Sequence, residues 1–231
     1  MSNDIRSELR SFPSAGDVTT VTPVSAQRVL RNTYALLGLT LAFSALVAGV
    51  AMSLNLPHPG ILVTLVGFYG LFFLVNKTAN SGKGVLAVFA LTGFMGYTLG
   101  PTLNAVMSMP GGSATITNAL AATAAAFLGL SAIALTTKRD FSFMGKFLMI
   151  GMLVAVALGL GAIFFEVPAL SLAVSGMVVL LSCGLILFET SRIVNGGETN
   201  YVLATVGLFV SAFNLFTSLL MLFGLGGSND D

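Results

Sequence analysis

One acidic residue ends an otherwise apolar run near the end of the sequence. The stretch LILFETSRIVNGGETNY, residues 185–201, leads four apolar residues into Glu189, then Arg192, then a Gly-Gly turn and a second acid, Glu198. A carboxylate inside a membrane span is a candidate ion or proton site. The i, i+3 spacing from Glu189 to Arg192 equally suits an ion pair that snorkels to the membrane surface. Further on, Gly207, Ser211, Asn214 and Ser218 recur at helical spacing and share one face. An amide near mid-membrane needs a partner, so this stripe is either a polar pathway or hydrogen-bonded packing between helices. A third pattern, GFMGYTLGP at 93–101, carries Gly93, Gly96, Gly100 and Pro101. Small residues four apart allow close helix contact, and a proline inside a span kinks it.

Other chemistry is poorly supplied. His58 is the sole histidine and Cys183 the sole cysteine, so neither a Cys/His zinc set nor an internal disulfide can be built. His58, in LPHPG, reads as a loop histidine or a pH sensor. Ser175 has no candidate base in the chain, and the last span has no lysine for a Schiff base. No metal, cofactor or enzymatic activity is expected.

These residues need a membrane around them. The sequence is 55% hydrophobic and only 8% charged, with a mean hydropathy of +0.95. Soluble domains carry about 25% charged residues. A net charge of +1 and the lack of a basic tract interleaved with aromatics argue against nucleic acid. Seven stretches have about the length needed to span the hydrocarbon core. They are Thr33 to Leu54, Gly60 to Asn76, Gly84 to Met107, Ala114 to Thr136, Phe147 to Phe165, Pro168 to Phe188 and Tyr201 to Phe223. Short turns join them, so the expected fold is all-α: a single seven-helix membrane bundle over residues 28–231, preceded by a flexible polar tail over 1–27. No cleavable signal peptide is expected, because a polar segment precedes a run long enough to span.

Charge orients this bundle. Arg6, Arg10, Arg28, Arg31, Lys77, Lys83, Lys138, Arg139, Lys146 and Arg192 all fall on one side if there are seven spans. The positive-inside rule then predicts a cytoplasmic N-terminus and an external C-terminus.

Five blocks resemble the Bax inhibitor-1 family of seven-helix membrane proteins. They are VLRNTYALLGLTLAFSA (29–45), PGILVTLVGFYGLFFLVNKTAN (59–80), TGFMGYTLGPTLN (92–104), ALTTKRDFSFMG (134–145) and ILFETSRIVNGGETNYVLATVGLFVSAFNLFTSLL (186–220). The last is the most specific, and the resemblance runs from Arg28 onward. It implies two functions. Many members are described as pH-sensitive calcium leaks built on an acid pair, with a DTxxI pattern in span six and LYLDxxNLF in span seven. Here the first acid is Glu189, the second position is Ser211, and Asn214 matches the family asparagine. The acid pair that could share a proton is therefore broken. A lone acid beside Arg192 tends to stay ionised, and calcium prefers several oxygen ligands, often with more than one carboxylate. An ideal hairpin would set Glu189 level with about Thr205, leaving Ser211 deeper.

The second implied function belongs to a bacterial branch that modulates the FtsH-type AAA protease of the inner membrane. That role needs a bundle that contacts the protease, alone or with its membrane-bound regulators, and a cytoplasmic tail the protease can grip. The favoured expectation is an inner-membrane protease modulator and poor substrate. The alternative is a calcium or proton leak centred on Glu189, Arg192, Ser211 and Asn214.

Overall fold

A bilayer core offers the backbone no hydrogen-bond partners, so an apolar chain of this kind must satisfy its own amides as helices. In a computed structural model, which describes residues 23–137 and 139–226, seven helices are long and apolar enough to cross a membrane. They are α1 (Pro23–Ser53), α2 (Ile61–Thr78), α3 (Lys83–Met107), α4 (Gly112–Thr137), α5 (Gly145–Phe164), α6 (Pro168–Val194) and α7 (Tyr201–Gly226). A 3₁₀ turn, Ser142–Met144, precedes α5. The chain is a multi-pass, all-helical membrane protein.

One expectation needs correction. α1 begins at Pro23, inside the stretch read as tail. Helices can continue past the hydrocarbon boundary, and Val29 and Leu30 still pack on the core there. The rest of that tail, residues 1–22, lies outside the described residues. α6 runs past the apolar stretch to Val194, so Glu189 and Arg192 occupy its last two turns.

α7 is the hub, packing against every other spanning helix except α5. Its side chains Val202, Val206, Leu208, Phe209, Leu215 and Leu220 are fully enclosed. α3 packs most extensively on α1. A β-carbon built at Gly100 would stand 2.6 Å from the Ala51 methyl and 2.9 Å from the Ala48 carbonyl oxygen, and one at Gly96 would collide with the Ser44 carbonyl. At Gly93 it would stand 2.8 Å from the Phe43 ring. Glycine here lets two backbones approach closely, where association rests on packing contacts. Pro101 is held inside α3, and the helix continues unbroken to Met107.

α5 lies outermost, seated on α6 by matched glycines: Gly151 faces Leu181 and Gly184 faces Leu148. The backbones of α1 and α4 stand apart, and the two helices meet where the rings of Tyr34 and Phe127 pack, with centroids 6.2 Å apart. They leave between them a groove floored by α7 and α3.

Candidate functional site

The loops rich in Lys and Arg meet at one end of the bundle, and the ETSRIVNGGETN segment ties them together. Its turn is built by Gly196, whose φ of +75° is left-handed. The Gly197 N–H donates to the Arg192 carbonyl (2.8 Å) and the Gly196 N–H to that of Ile193 (3.2 Å). This is the Schellman helix stop, in which glycine adopts the left-handed backbone at least cost. The reversal returns Glu198 to Arg192.

Arg192 therefore has two acidic partners. Its guanidinium donates to Glu198 Oε2 at 3.2 Å and lies 3.8 Å from Glu189 Oε2. It also stands 5.4 Å above the Phe188 ring. The i, i+3 ion pair with Glu189 is present, and Glu198 is the closer of the two partners. The other carboxylate oxygen of Glu198 accepts from the Asn200 N–H (2.9 Å). Glu198 was visible as an acid past the Gly-Gly turn, but its role depends on how tightly that turn closes.

Glu189 points into the bundle, with only 16% of its side chain exposed. Its carboxyl lies against α7 at Gly207, where a β-carbon would come within 2.8 Å of Cδ and 2.9 Å of Oε1. The surface-snorkelling orientation is therefore not the one adopted. The level is Gly207 rather than Thr205. At the far end of the pair, Ser175 donates to Met221 Sδ at 3.2 Å. Moving fourteen residues along α6, from Glu189 to Ser175, moves the partner on α7 fourteen residues the other way, from Gly207 to Met221. This constant register sets Ser182 opposite Asn214 and Leu185 opposite Ser211. Ser211 is buried one turn, about 6 Å, deeper than Gly207. No hydrogen bond joins Glu189 to Ser211 or Asn214 among the described residues. Ser182 is fully buried, and its hydroxyl has no partner among them.

Each remaining polar residue of the segment reaches a different element. The hydroxyls of Thr190 and Tyr34 on α1 share a hydrogen bond (3.3 Å). Ser191 donates to the Arg139 carbonyl (2.9 Å) and accepts from the Phe141 N–H (3.1 Å), and Asn195 donates to the same Arg139 carbonyl (3.3 Å). In that loop Asp140 is held below the usual carboxylate range by hydrogen bonds from Ser142. Asn200 caps α7, its Oδ1 accepting from the Val202 and Leu203 N–H groups, while its Nδ2 donates to the Ala79 carbonyl and Asn80 Oδ1. Thr205 adds a contact from α7 to the Thr33 carbonyl of α1 (3.3 Å). His58 lies apart, in an exposed loop, where Nδ1 accepts from the Gly60 N–H (3.1 Å).

Comparison with known sequences decides the family. The family model Bax1-I, described as "Inhibitor of apoptosis-promoting Bax1", matches residues 26–229. The chain belongs to the Bax inhibitor-1 family. It is 51% identical over 215 residues to a protein of Escherichia coli K12 named "Modulator of FtsH protease YccA", covering 93% of this chain and 97% of the relative. A second Escherichia coli protein with the same figures is named "Inner membrane protein YccA". An uncharacterized protein of Pseudomonas aeruginosa is 53% identical over 202 residues, covering 87% of this chain and 91% of the relative. Arg192 and Glu198 supply the charges that face Glu189.

The contact between Glu189 and Gly207 can be tested by coupling. Gly207→Ala should cost about 1–3 kcal/mol by pushing the carboxyl off its seat. In the Glu189→Ala background the same change should be nearly neutral. Chemical unfolding of the four proteins in detergent micelles measures this cycle, and strictly additive effects would refute the contact.

Proposed function

We propose that the chain is an inner-membrane modulator of an FtsH-type AAA protease, acting as a bound partner and a poor substrate. The observation that carries this reading is the 51% identity, over almost the full length of both chains, to a relative named for that role. The role is one of binding, with no reaction assigned to it. The charge rule places the basic end in the cytoplasm, where the protease's ATPase works.

The fold supports the mechanism. Residues 1–22 are polar by sequence and lead directly into α1. A protease pulling on that segment would load α1 first. That helix is packed backbone to backbone on α3 at Gly96 and Gly100, and it is tied to α6 and α7 through Tyr34 and Thr33. Extracting it exposes those polar groups in hydrocarbon, where each unsatisfied group costs several kcal/mol. The engaged protease would stall, and its other substrates would wait. Deleting the first 20 or so residues, while leaving α1 intact, should lengthen the protein's half-life in cells that contain the protease and weaken protease inhibition. A half-life and an inhibition that both stay unchanged would remove the tail from the mechanism.

A second reading, a cation or proton leak, is favoured by one observation: Glu189 and the unpartnered hydroxyl of Ser182 lie seven residues apart, on one face of α6. Proteoliposomes should then show calcium flux that Glu189→Gln alters. A flat trace across about pH 6 to 8 would eliminate this reading.

A further inference from the structure

The groove between α1 and α4 encloses about 690 Å³, is half open, and is lined almost wholly by apolar atoms. Its wall on α1 runs from Tyr34 to Met52, eighteen residues or about 27 Å of helix, close to the thickness of a bilayer's hydrocarbon core. Small residues keep it open. β-carbons built at Gly38 and Gly49 meet nothing within 4 Å.

An acyl chain of 16 to 18 carbons, each occupying about the volume of a water molecule, needs roughly 500 Å³, and the groove has room for one. Its end nearest the basic loops also carries charge. Arg31 precedes Gly38, Ala45 and Gly49 by seven, fourteen and eighteen residues, which places all four within about 40° of one line along α1. Arg31 is exposed and makes no ion pair among the described residues. At the opposite end the groove's lining reaches Met52 and Ile116, and the adjoining Asn55 and Thr115 are uncharged. An apolar slot with a cation at one mouth has the chemistry of a site for an anionic phospholipid.

We propose that this groove holds one acyl chain of an anionic phospholipid from the leaflet on the basic side, with the headgroup phosphate at Arg31. The site does not depend on the protease reading. In such a site, packing along the chain supplies retention and Arg31 supplies headgroup preference, because lipid tails gain no hydrophobic energy by moving from one apolar medium to another.

Native mass spectrometry of the full chain in detergent, titrated with phosphatidylglycerol or phosphatidylcholine of identical tails, tests this. One phosphatidylglycerol should bind, in preference to phosphatidylcholine. Gly38→Leu and Gly49→Phe, which fill the slot, should each weaken binding at least about tenfold, equivalent to about 1.4 kcal/mol. Arg31→Gln should reduce phosphatidylglycerol to the phosphatidylcholine level. Gly70→Leu, at an equally open glycine on α2, should change nothing. A photoactivatable phosphatidylglycerol should crosslink to α1 and α4 in the unaltered protein, so the proposal remains testable if a filled variant misfolds. Crosslinks elsewhere, equal binding by the filled variants, or loss of a dimer rather than of lipid when the slot is filled would overturn it.

Discussion

Two carboxylates share one guanidinium at the basic end of this bundle, and the arrangement of that end depends on it. Arg192 reaches Glu198 directly and Glu189 more distantly, and it can do so only because the Gly196 turn reverses the chain within a few residues. Partly buried charges are costly unless paired and hydrogen-bonded. The pairing fixes the end of α6 against the start of α7. From that anchor the neighbouring side chains extend to α1, to the turn before α5, and to the link between α2 and α3. A short polar segment thus secures the ends of helices whose apolar faces are less selective about register.

Much of this was legible in the sequence. The seven spans follow from length and hydropathy, because hydrocarbon thickness imposes a minimum run. The glycines of α3 were readable as packing residues because their four-residue spacing has few other uses in a span. The start of α1 was not readable from hydropathy, since the helix begins in mixed sequence before the apolar stretch. The Glu189–Gly207 contact required the register between α6 and α7, which loop length alone misjudged by two residues. Glu198 was visible as an acid but gained its role only from the Schellman geometry. The groove depends on the backbones of α1 and α4 standing apart beyond the Tyr34–Phe127 ring contact, a property of the assembled bundle that neither helix's sequence carries.

The same geometry bears on function. The α6–α7 seam holds one buried carboxylate, a serine one turn deeper, and an arginine shared between Glu189 and Glu198. Hydrogen bonds join the loops at that end to one another. On the proposed reading, a bundle tied at its basic end, and entered through a helix packed backbone to backbone on its neighbour, would have the mechanical character of a substrate that is bound more readily than it is extracted. The α1–α3 glycine contact, the polar ties of α1 and the polar sequence of residues 1–22 all bear on that reading. The leak reading uses only the α6–α7 seam.

The most direct measurement is competition in a defined membrane. An FtsH-type protease reconstituted with ATP and a separate membrane substrate should degrade that substrate progressively more slowly as this protein is added. The inhibition should be relieved by excess substrate, while the added protein itself is degraded slowly. Substrate degradation that proceeds at the same rate at every ratio of added protein would contradict the account.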